Sequence, residues 1–197
     1  TVYLDHAATS PMPPEVRAAY VDALAVVGNP SSIHSAGQHA RAVLDDARAR
    51  IAATLGVDAV ELTLTGGGTE AVNTAVKGLF WRRQRDAAAA GGPDAASSAA
   101  VAAGAQPRRP VILLTAAEHH ATLDAVDWLV ANAGARAVTV PVDTAGRMRV
   151  DALDDTLASH GDTVALVTML AANNEVGTLQ PVAAAAELAA AHGVPLH

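Results

Sequence analysis

Short apolar runs alternate with stretches of helical periodicity through most of this chain, and this alternation restricts the possible folds more than any other feature. It predicts strands at 61–65, 111–115, 136–140 and 163–169, and half of another at 194–197. It also predicts helices between them, at 69–84, 121–133, 151–159 and 181–191. The strand centres are apolar on both faces, as expected where helices cover a sheet on two sides. The sequence therefore predicts an α/β three-layer sandwich with a mainly parallel sheet.

Two segments stand outside this alternation. Residues 1–34 form an N-terminal segment with a helical pattern at 14–27, and a long helix predicted at 35–55 follows, ended by Gly56. Residues 86–109 are almost all small residues, prolines and charged residues, which bury too little apolar surface to offset the entropy of ordering. We expect 86–109 to be a mobile surface insertion within one domain at 35–197, because the alternation resumes unchanged after it.

A glycine run precedes the helix predicted at 69–84. Residues 62–73 read LTLTGGGTEAVN, so three glycines come just before the first helical turn. A helix start has backbone N–H groups without partners and the positive end of the helix dipole, and glycines let an anion approach closely. This stretch predicts a phosphate or carboxylate bound at 66–69.

Two further polar clusters directly follow predicted strands. They are Glu-His-His at 118–120 and Asn-Asn-Glu at 173–175. Parallel strands have their carboxyl ends at one edge of the sheet, where ligands bind, so all three clusters are predicted there. Taken singly, each cluster has a structural explanation: a glycine turn, a histidine that caps a helix, and an Asn-Asn turn. Together they indicate a ligand site.

Several other functions are disfavoured. The glycine run fits the dinucleotide pattern G-x-G-x-x-A, but no strand ending in an acidic residue follows at the usual distance, and no Gly-Lys-Ser/Thr indicates a P-loop. Adjacent residues at 118–120 do not face one metal ion. A net charge of −7 argues against a nucleic-acid partner. With no apolar run of membrane-spanning length, no signal-peptide pattern and no cysteine, we expect a cytoplasmic protein without disulfides.

A flat, phosphorylated heteroaromatic ring fits all three clusters. The glycine run would hold the phosphate, an imidazole from 118–120 would stack on the ring, and an amide from 173–175 would bond a ring substituent. Pyridoxal 5′-phosphate (PLP) is such a molecule, and proteins that use it also supply a lysine and a partner for the pyridinium nitrogen.

Five motifs carry a family resemblance: YLDHAAT at 3–9, GNPSSIH at 28–34, TGGGTE at 65–70, EHHA at 118–121 and NNEVGT at 173–178. In this order they resemble the cysteine desulfurases, PLP enzymes of fold type I in the class V aminotransferase group, and especially their iron–sulfur-cluster and nitrogenase-type branch. The resemblance covers the chain apart from 86–109. It implies PLP-dependent removal of sulfur from L-cysteine, giving L-alanine and an enzyme persulfide, in a homodimer with a sulfur-acceptor or scaffold protein as partner.

The resemblance also implies individual roles. Gly68 and Thr69 match positions that bind the cofactor phosphate. His119 matches the histidine that stacks on the ring and assists proton transfer, so it is the catalytic residue predicted here. Asn174 matches the asparagine that contacts the ring oxygen and the substrate. The first two motifs match segments near the site and the dimer interface.

In the family that the chain resembles, further residues follow the segment that matches 194–197. They are the aspartate that pairs with the pyridinium nitrogen, the lysine that carries PLP, the persulfide-forming cysteine and the small C-terminal domain. The only lysine of these 197 residues, Lys77, is predicted about two helical turns after the glycine run and facing solvent. We therefore expect the chain alone to bind PLP weakly and to be inactive. The alternatives are a non-catalytic dimerisation module, or a related class V enzyme that acts on another amino acid.

Overall fold

The computed structural model describes residues 2–90 and 107–197. Its contacts divide the chain into two compact units, Thr1–Leu64 and Thr65–His197. The domain division expected between residues 34 and 35 stays a prediction. Of the insertion expected at 86–109, residues 91–106 lie outside the described residues. Within the described ranges, no helix has both the length and the apolar character needed to cross a bilayer.

The first unit contains α1 (Pro14–Leu24), α2 (Ser35–Leu55) and a 3₁₀ turn at Ala59–Glu61. α1 begins at a proline, whose fixed φ suits a helix start, and ends three residues before the predicted end. α2 has the predicted bounds. At its start the Nδ1 of His34 accepts the N–H of Gly37 at 3.2 Å, and at its end Gly56 has a left-handed φ of 69° that closes the helix.

The strand predicted at 61–65 is wrong. Residue 61 ends the 3₁₀ turn, and residues 62–65 join no strand ladder in the part of the chain that the structure describes. Leu62 has an extended backbone, with φ of −86° and ψ of 120°, but its carbonyl accepts from the guanidinium of Arg48 and not from a neighbouring strand. An extended segment becomes a strand only when a neighbour supplies its hydrogen bonds, and periodicity within one segment does not reveal that neighbour.

The second unit alternates helices and strands in the predicted order. The strands are β1 (Val111–Leu114), β2 (Arg136–Thr139) and β3 (Val164–Val167), with a 3₁₀ turn at Gly161–Thr163. The helices are α3 (Gly68–Ala90), α4 (His120–Ala133), α5 (Val150–His160) and α6 (Val182–Ala191). α3 extends six residues beyond its predicted end at 84. Residues 86–90 are therefore helix and not insertion, because their alanines favour continuing the helix.

A reciprocal side-chain contact joins α3 to the start of the sheet. The amide of Gln84 donates to the carbonyl of Arg109 at 2.7 Å and accepts its N–H at 2.9 Å. Gln84 is buried, so this pair satisfies polar groups that would otherwise lose water without compensation. It thereby fixes both flanks of the segment that separates α3 from β1.

The three strands form a parallel sheet in the order β2–β1–β3. In the central strand, Leu113 pairs with Val138 on one side and with Val167 on the other. The half-strand predicted at 194–197 lies beside β3, where Leu196 forms a parallel bridge with Val167. The carboxyl ends of all these segments therefore meet at one edge, as predicted.

Helices cover both faces of this sheet. On one face, Val111 and Leu113 of β1 pack in a core with side chains of α5 and α6. On the other face, Ile112 and Leu114 pack with side chains of α3 and α4. Successive side chains of β1 are thus buried on opposite sides, which explains why its sequence is apolar throughout. The predicted α/β three-layer sandwich is confirmed.

Candidate functional site

A cleft of about 370 Å³ lies at the carboxyl edge of the sheet, within the second unit. Three segments form its walls: the start of α3, the loop between β1 and α4, and the residues just after β3. Among the predicted site residues, Gly68, Thr69 and His119 all line it. The structure therefore brings together the first two of the three clusters found in the sequence.

The start of α3 is open to a ligand. A Cβ placed on Gly67 or Gly68 would meet no atom within 4 Å, and neither glycine has a positive φ. Glycine at these positions is therefore explained by the close approach that it allows a ligand to the backbone, and not by a left-handed turn. A second cleft, of about 560 Å³, lies over the same helix start and shares Gly68 and Thr69 with the first. Exposed N–H groups at the positive end of a long helix suit an anion.

Glu70 already places a negative charge at this helix start. Its Oε2 accepts the N–H of Gly66 at 2.7 Å, so one backbone donor of the glycine run is occupied by the chain's own carboxylate. Neither lysine nor arginine is among the described residues that line the two clefts. A phosphate bound here would therefore depend on backbone N–H groups, the helix dipole and the hydroxyl of Thr69.

His119 caps α4 and borders the cleft at the same time. Its Nδ1 accepts the N–H of Ala121 at 3.0 Å, which confirms the capping explanation for this cluster. A nitrogen that accepts a hydrogen bond carries no proton, so in this arrangement the ring proton is on Nε2. The cap holds the exposed imidazole at the wall of the cleft and leaves Nε2 free for a ligand.

The loop after β3 is shaped by the first asparagine of its pair. The Oδ1 of Asn173 accepts the N–H groups of Glu175 and Val176, both at 2.9 Å, and its Nδ2 donates to the carbonyl of Ala117 at 3.1 Å. The Asn-Asn turn is thereby confirmed. Asn174 is exposed in this turn and is not among the residues that line the cleft. Its contact with a ring oxygen stays a prediction.

Lys77 lies outside both clefts. Its Nζ is 4.4 Å from the centre of the Trp128 ring, a cation–π contact between α3 and α4. The residue is half-buried, so the solvent-facing orientation predicted for it is wrong. The indole attracts the ammonium group, an interaction that helical periodicity alone does not reveal.

Sequence reasoning missed several residues of the cleft wall. Val72 follows Gly68 by four residues and therefore lies on the same face of α3, while Met169 and Leu170 directly follow β3, the position that identified the other clusters. His197 also lines the cleft, where its Nδ1 lies 2.9 Å from the hydroxyl of Thr168. Burial lowers the pKa of His197, so its neutral form is favoured.

Comparisons with known proteins agree with this geometry. The profile of the family described as aminotransferase class-V matches residues 2–92 and 89–197. An IscS-like cysteine desulfurase of Mycobacterium tuberculosis is 43% identical over 195 residues, which are 99% of this chain and 44% of that protein. The putative cysteine desulfurase IscS 1 of Bacillus subtilis is 36% identical over 197 residues, 100% of this chain and 45% of that protein. A solved NifS-like protein has a TM-score of 0.81 at 28% identity, covering 100% of this chain and 48% of its own. The chain thus spans less than half the length of these relatives.

Proposed function

The chain belongs to the aminotransferase class-V family, and on this basis we propose that it supplies part of the cofactor site of a PLP-dependent cysteine desulfurase. Such an enzyme removes sulfur from L-cysteine, giving L-alanine and an enzyme persulfide for iron–sulfur cluster or thio-cofactor synthesis. Relatives that are 43% and 36% identical are named cysteine desulfurases, which supports the activity. A homodimer, a sulfur-acceptor or scaffold partner and a cytoplasmic location follow from the resemblance and belong to the same proposal.

The observation that carries the proposal is that Gly68, Thr69 and His119 border one cleft. The open backbone at the start of α3 fits a phosphate, and the imidazole of His119 borders the same cleft, which places it within reach of a flat ring attached to that phosphate. The residues present therefore fit the phosphate and the ring of PLP. When bound, PLP supplies the electron sink for reactions at the amino-acid α-carbon.

The chain's own residues then have distinct tasks. Thr69 and the backbone of the glycine run bind the phosphate. The Nε2 of His119 is the nitrogen that is free to exchange a proton, since Nδ1 is bonded to Ala121. Met169 and Leu170 add apolar side chains to the lining of the cleft, which reduces the water around the ring. Asn174, on the turn beside them, is assigned to the ring oxygen and the substrate.

Two measurements test this proposal. PLP titrated into the purified 197-residue chain should bind weakly, and inorganic phosphate should compete with it. With L-cysteine present, this chain should form no alanine above the rate of free PLP, because it contains no cysteine and its lysine lies against Trp128. The complete gene product should form alanine and sulfide. A complete gene product that binds PLP without forming alanine would contradict the desulfurase activity and favour a related class V reaction. A complete gene product that does not bind PLP would contradict the proposed cofactor.

Glu70 gives a prediction about the phosphate itself. Replacement of Glu70 by glutamine keeps an oxygen that can accept the Gly66 N–H but removes the negative charge beside the bound anion. We expect the dissociation constant for PLP and for inorganic phosphate to fall by about three- to fivefold, the size typical of an exposed charge interaction, and the gain to shrink as salt is added. Equilibrium titration at low and high ionic strength measures both effects.

The comparison with Glu70→Ala separates charge from geometry. Alanine removes the acceptor as well, so the glycine run loses the contact to Gly66 and the affinity for phosphate should fall below that of Glu70→Gln. Glu187→Gln, an exposed glutamate on α6, is the matched control and should bind phosphate like the unchanged chain. Equal weakening by glutamine and alanine would show that the carboxylate itself is required.

A further inference from the structure

Two side chains join the loop after β1 to the segment after β3. One is Asn173, whose amide donates to the carbonyl of Ala117 at 3.1 Å. The other is Glu118, whose Oε1 accepts the N–H of Leu170 at 3.2 Å. The same Oε1 accepts the hydroxyl of buried Thr115 at 3.0 Å, at the end of β1. Of these two links, only the one through Glu118 is made by an ionisable group.

The second carboxyl oxygen of Glu118 has an unusual environment. Oε2 is buried and has no hydrogen-bond partner among the residues that the structure describes. Burial raises the pKa of Glu118, while the bonds from Leu170 and Thr115 oppose the rise without cancelling it. The neutral acid keeps both bonds, because Oε1 still accepts them as a carbonyl oxygen.

We infer that Glu118 is a positioning residue that holds the loop bearing His119 at a fixed distance from Leu170, and thereby sets the width of the cleft. Glu118 directly precedes His119, which is the N-cap of α4, so the position of the imidazole depends on this loop. The inference goes beyond the proposed function, because it concerns the chain's own contacts and holds for whichever ligand the cleft binds.

Ionisation of Glu118 disfavours the closed position of this loop, because the cost of burying the charge exceeds what the two bonds to Oε1 gain from it. When Glu118 ionises, part of its negative charge lies on Oε2, which is buried and has no partner among the described residues. Water reaches this oxygen only when the loop opens. The pKa of Glu118 is raised in the folded chain. The stability that its neutral carboxyl gives to the closed loop is therefore complete below the pKa of the unfolded chain, about 4.3, and is lost as pH rises through the pKa of the folded chain. The closed loop is therefore most favoured in mild acid.

Other titratable groups lie near Glu118. His119 and His197 line the same cleft, His120 begins α4, and Glu70 lines the neighbouring cleft over the start of α3. The shift in the pKa of Glu118 arises from burial and hydrogen bonds and not from these neighbours. A variant that changes Glu118 alone therefore isolates its share of any pH dependence.

Amide hydrogen exchange without added ligand tests the inference. In the unchanged chain, the protection of the Leu170 amide should fall as the pH rises above the ordinary range of a glutamate carboxyl, after correction for the intrinsic exchange rate. Glu118→Gln mimics the neutral acid, so the protection of its Leu170 amide should not change with pH. Glu118→Ala should lower the protection at Leu170 about tenfold at pH 5, the loss typical of one buried hydrogen bond, and should also lower it at Ala121. Glu187→Gln should behave like the unchanged chain.

Two outcomes would overturn the inference. One is unchanged protection at Leu170 and Ala121 in Glu118→Ala, and the other is a glutamine variant that loses as much protection as the alanine variant. If Glu118→Ala does not fold, Thr115→Val removes one bond to Oε1 with little change of shape. It should reduce Leu170 protection about threefold, and unchanged protection would contradict the role. Because no PLP is present, a failure of the cofactor proposal leaves this result intact.

Discussion

Replacement of His119 by alanine is expected to weaken PLP binding at least about tenfold and to slow alanine formation by the complete gene product about 10²- to 10⁴-fold. The first effect combines the lost aromatic face with the lost cap of α4. The second is the range typical of removing a general acid–base group. Equilibrium titration with PLP and a single-turnover assay with L-cysteine measure the two effects separately.

Two further variants divide the roles of His119. Asparagine is a preferred N-cap residue, so His119→Asn should restore the cap and the stability of α4 while leaving binding and turnover low. Phenylalanine supplies a ring without a proton, so His119→Phe should recover part of the PLP affinity and none of the rate. Thermal unfolding of each variant shows whether the loss comes from the site or from the helix.

His120 is the matched control for these variants. It is the next residue, is also exposed, and is not among the residues that line the cleft. His120→Ala should therefore bind PLP and form alanine like the unchanged protein. If His120→Ala were as defective as His119→Ala, the loss would reflect a general disturbance of this loop. If His119→Ala kept the full rate, the proton-transfer role would be wrong.

Replacement of Leu113 by alanine is expected to have the largest effect on stability, about 2–5 kcal/mol in the free energy of unfolding. Leu113 is fully buried in the central strand and packs in the core between the sheet and the α5–α6 layer. Alanine leaves a cavity there that paired strands on both sides prevent from collapsing. A domain of this kind has about 5–15 kcal/mol of stability, so the change is a substantial part of the total. Urea unfolding followed by far-UV circular dichroism measures it.

Leu179 provides the comparison for Leu113. Its side chain is 70% exposed on the loop before α6, so Leu179→Ala should change the free energy of unfolding by less than about 0.5 kcal/mol. A loss below about 1 kcal/mol for Leu113→Ala would contradict the two-sided burial of β1, because the cavity penalty would then be missing.

The site shows how far local sequence patterns reach. The sequence predicts Gly68, Thr69 and His119 at one edge of the sheet, and the structure places them around one cleft. Each of them lies at the start of a helix, which the sequence marks. Asn174 was predicted from a pattern of the same kind, yet it lies outside the lining residues. The reason is that Asn173 uses its side chain to shape the turn and to bond Ala117, a contact across two loops that no local pattern encodes.

Glu118 and Glu70 show a second limit. Both stand in motifs that were read from the sequence, but their roles depend on distances to backbone groups of other segments or turns. The sequence shows that a carboxyl group is present. It does not show that one oxygen of Glu118 is buried without a partner among the described residues, because burial is a property of the packed loops.

The sequence by itself determined the alternation of strands and helices, the parallel three-layer architecture, the helix cap at Gly56, and the edge at which the polar clusters meet. These features follow from periodicity and backbone preferences that act over a few residues. Tertiary structure alone decided that 62–65 has no strand partner in the described chain and that Lys77 lies against Trp128. Each of these depends on whether a distant segment supplies a hydrogen bond or a contact, and only the folded chain brings such segments together.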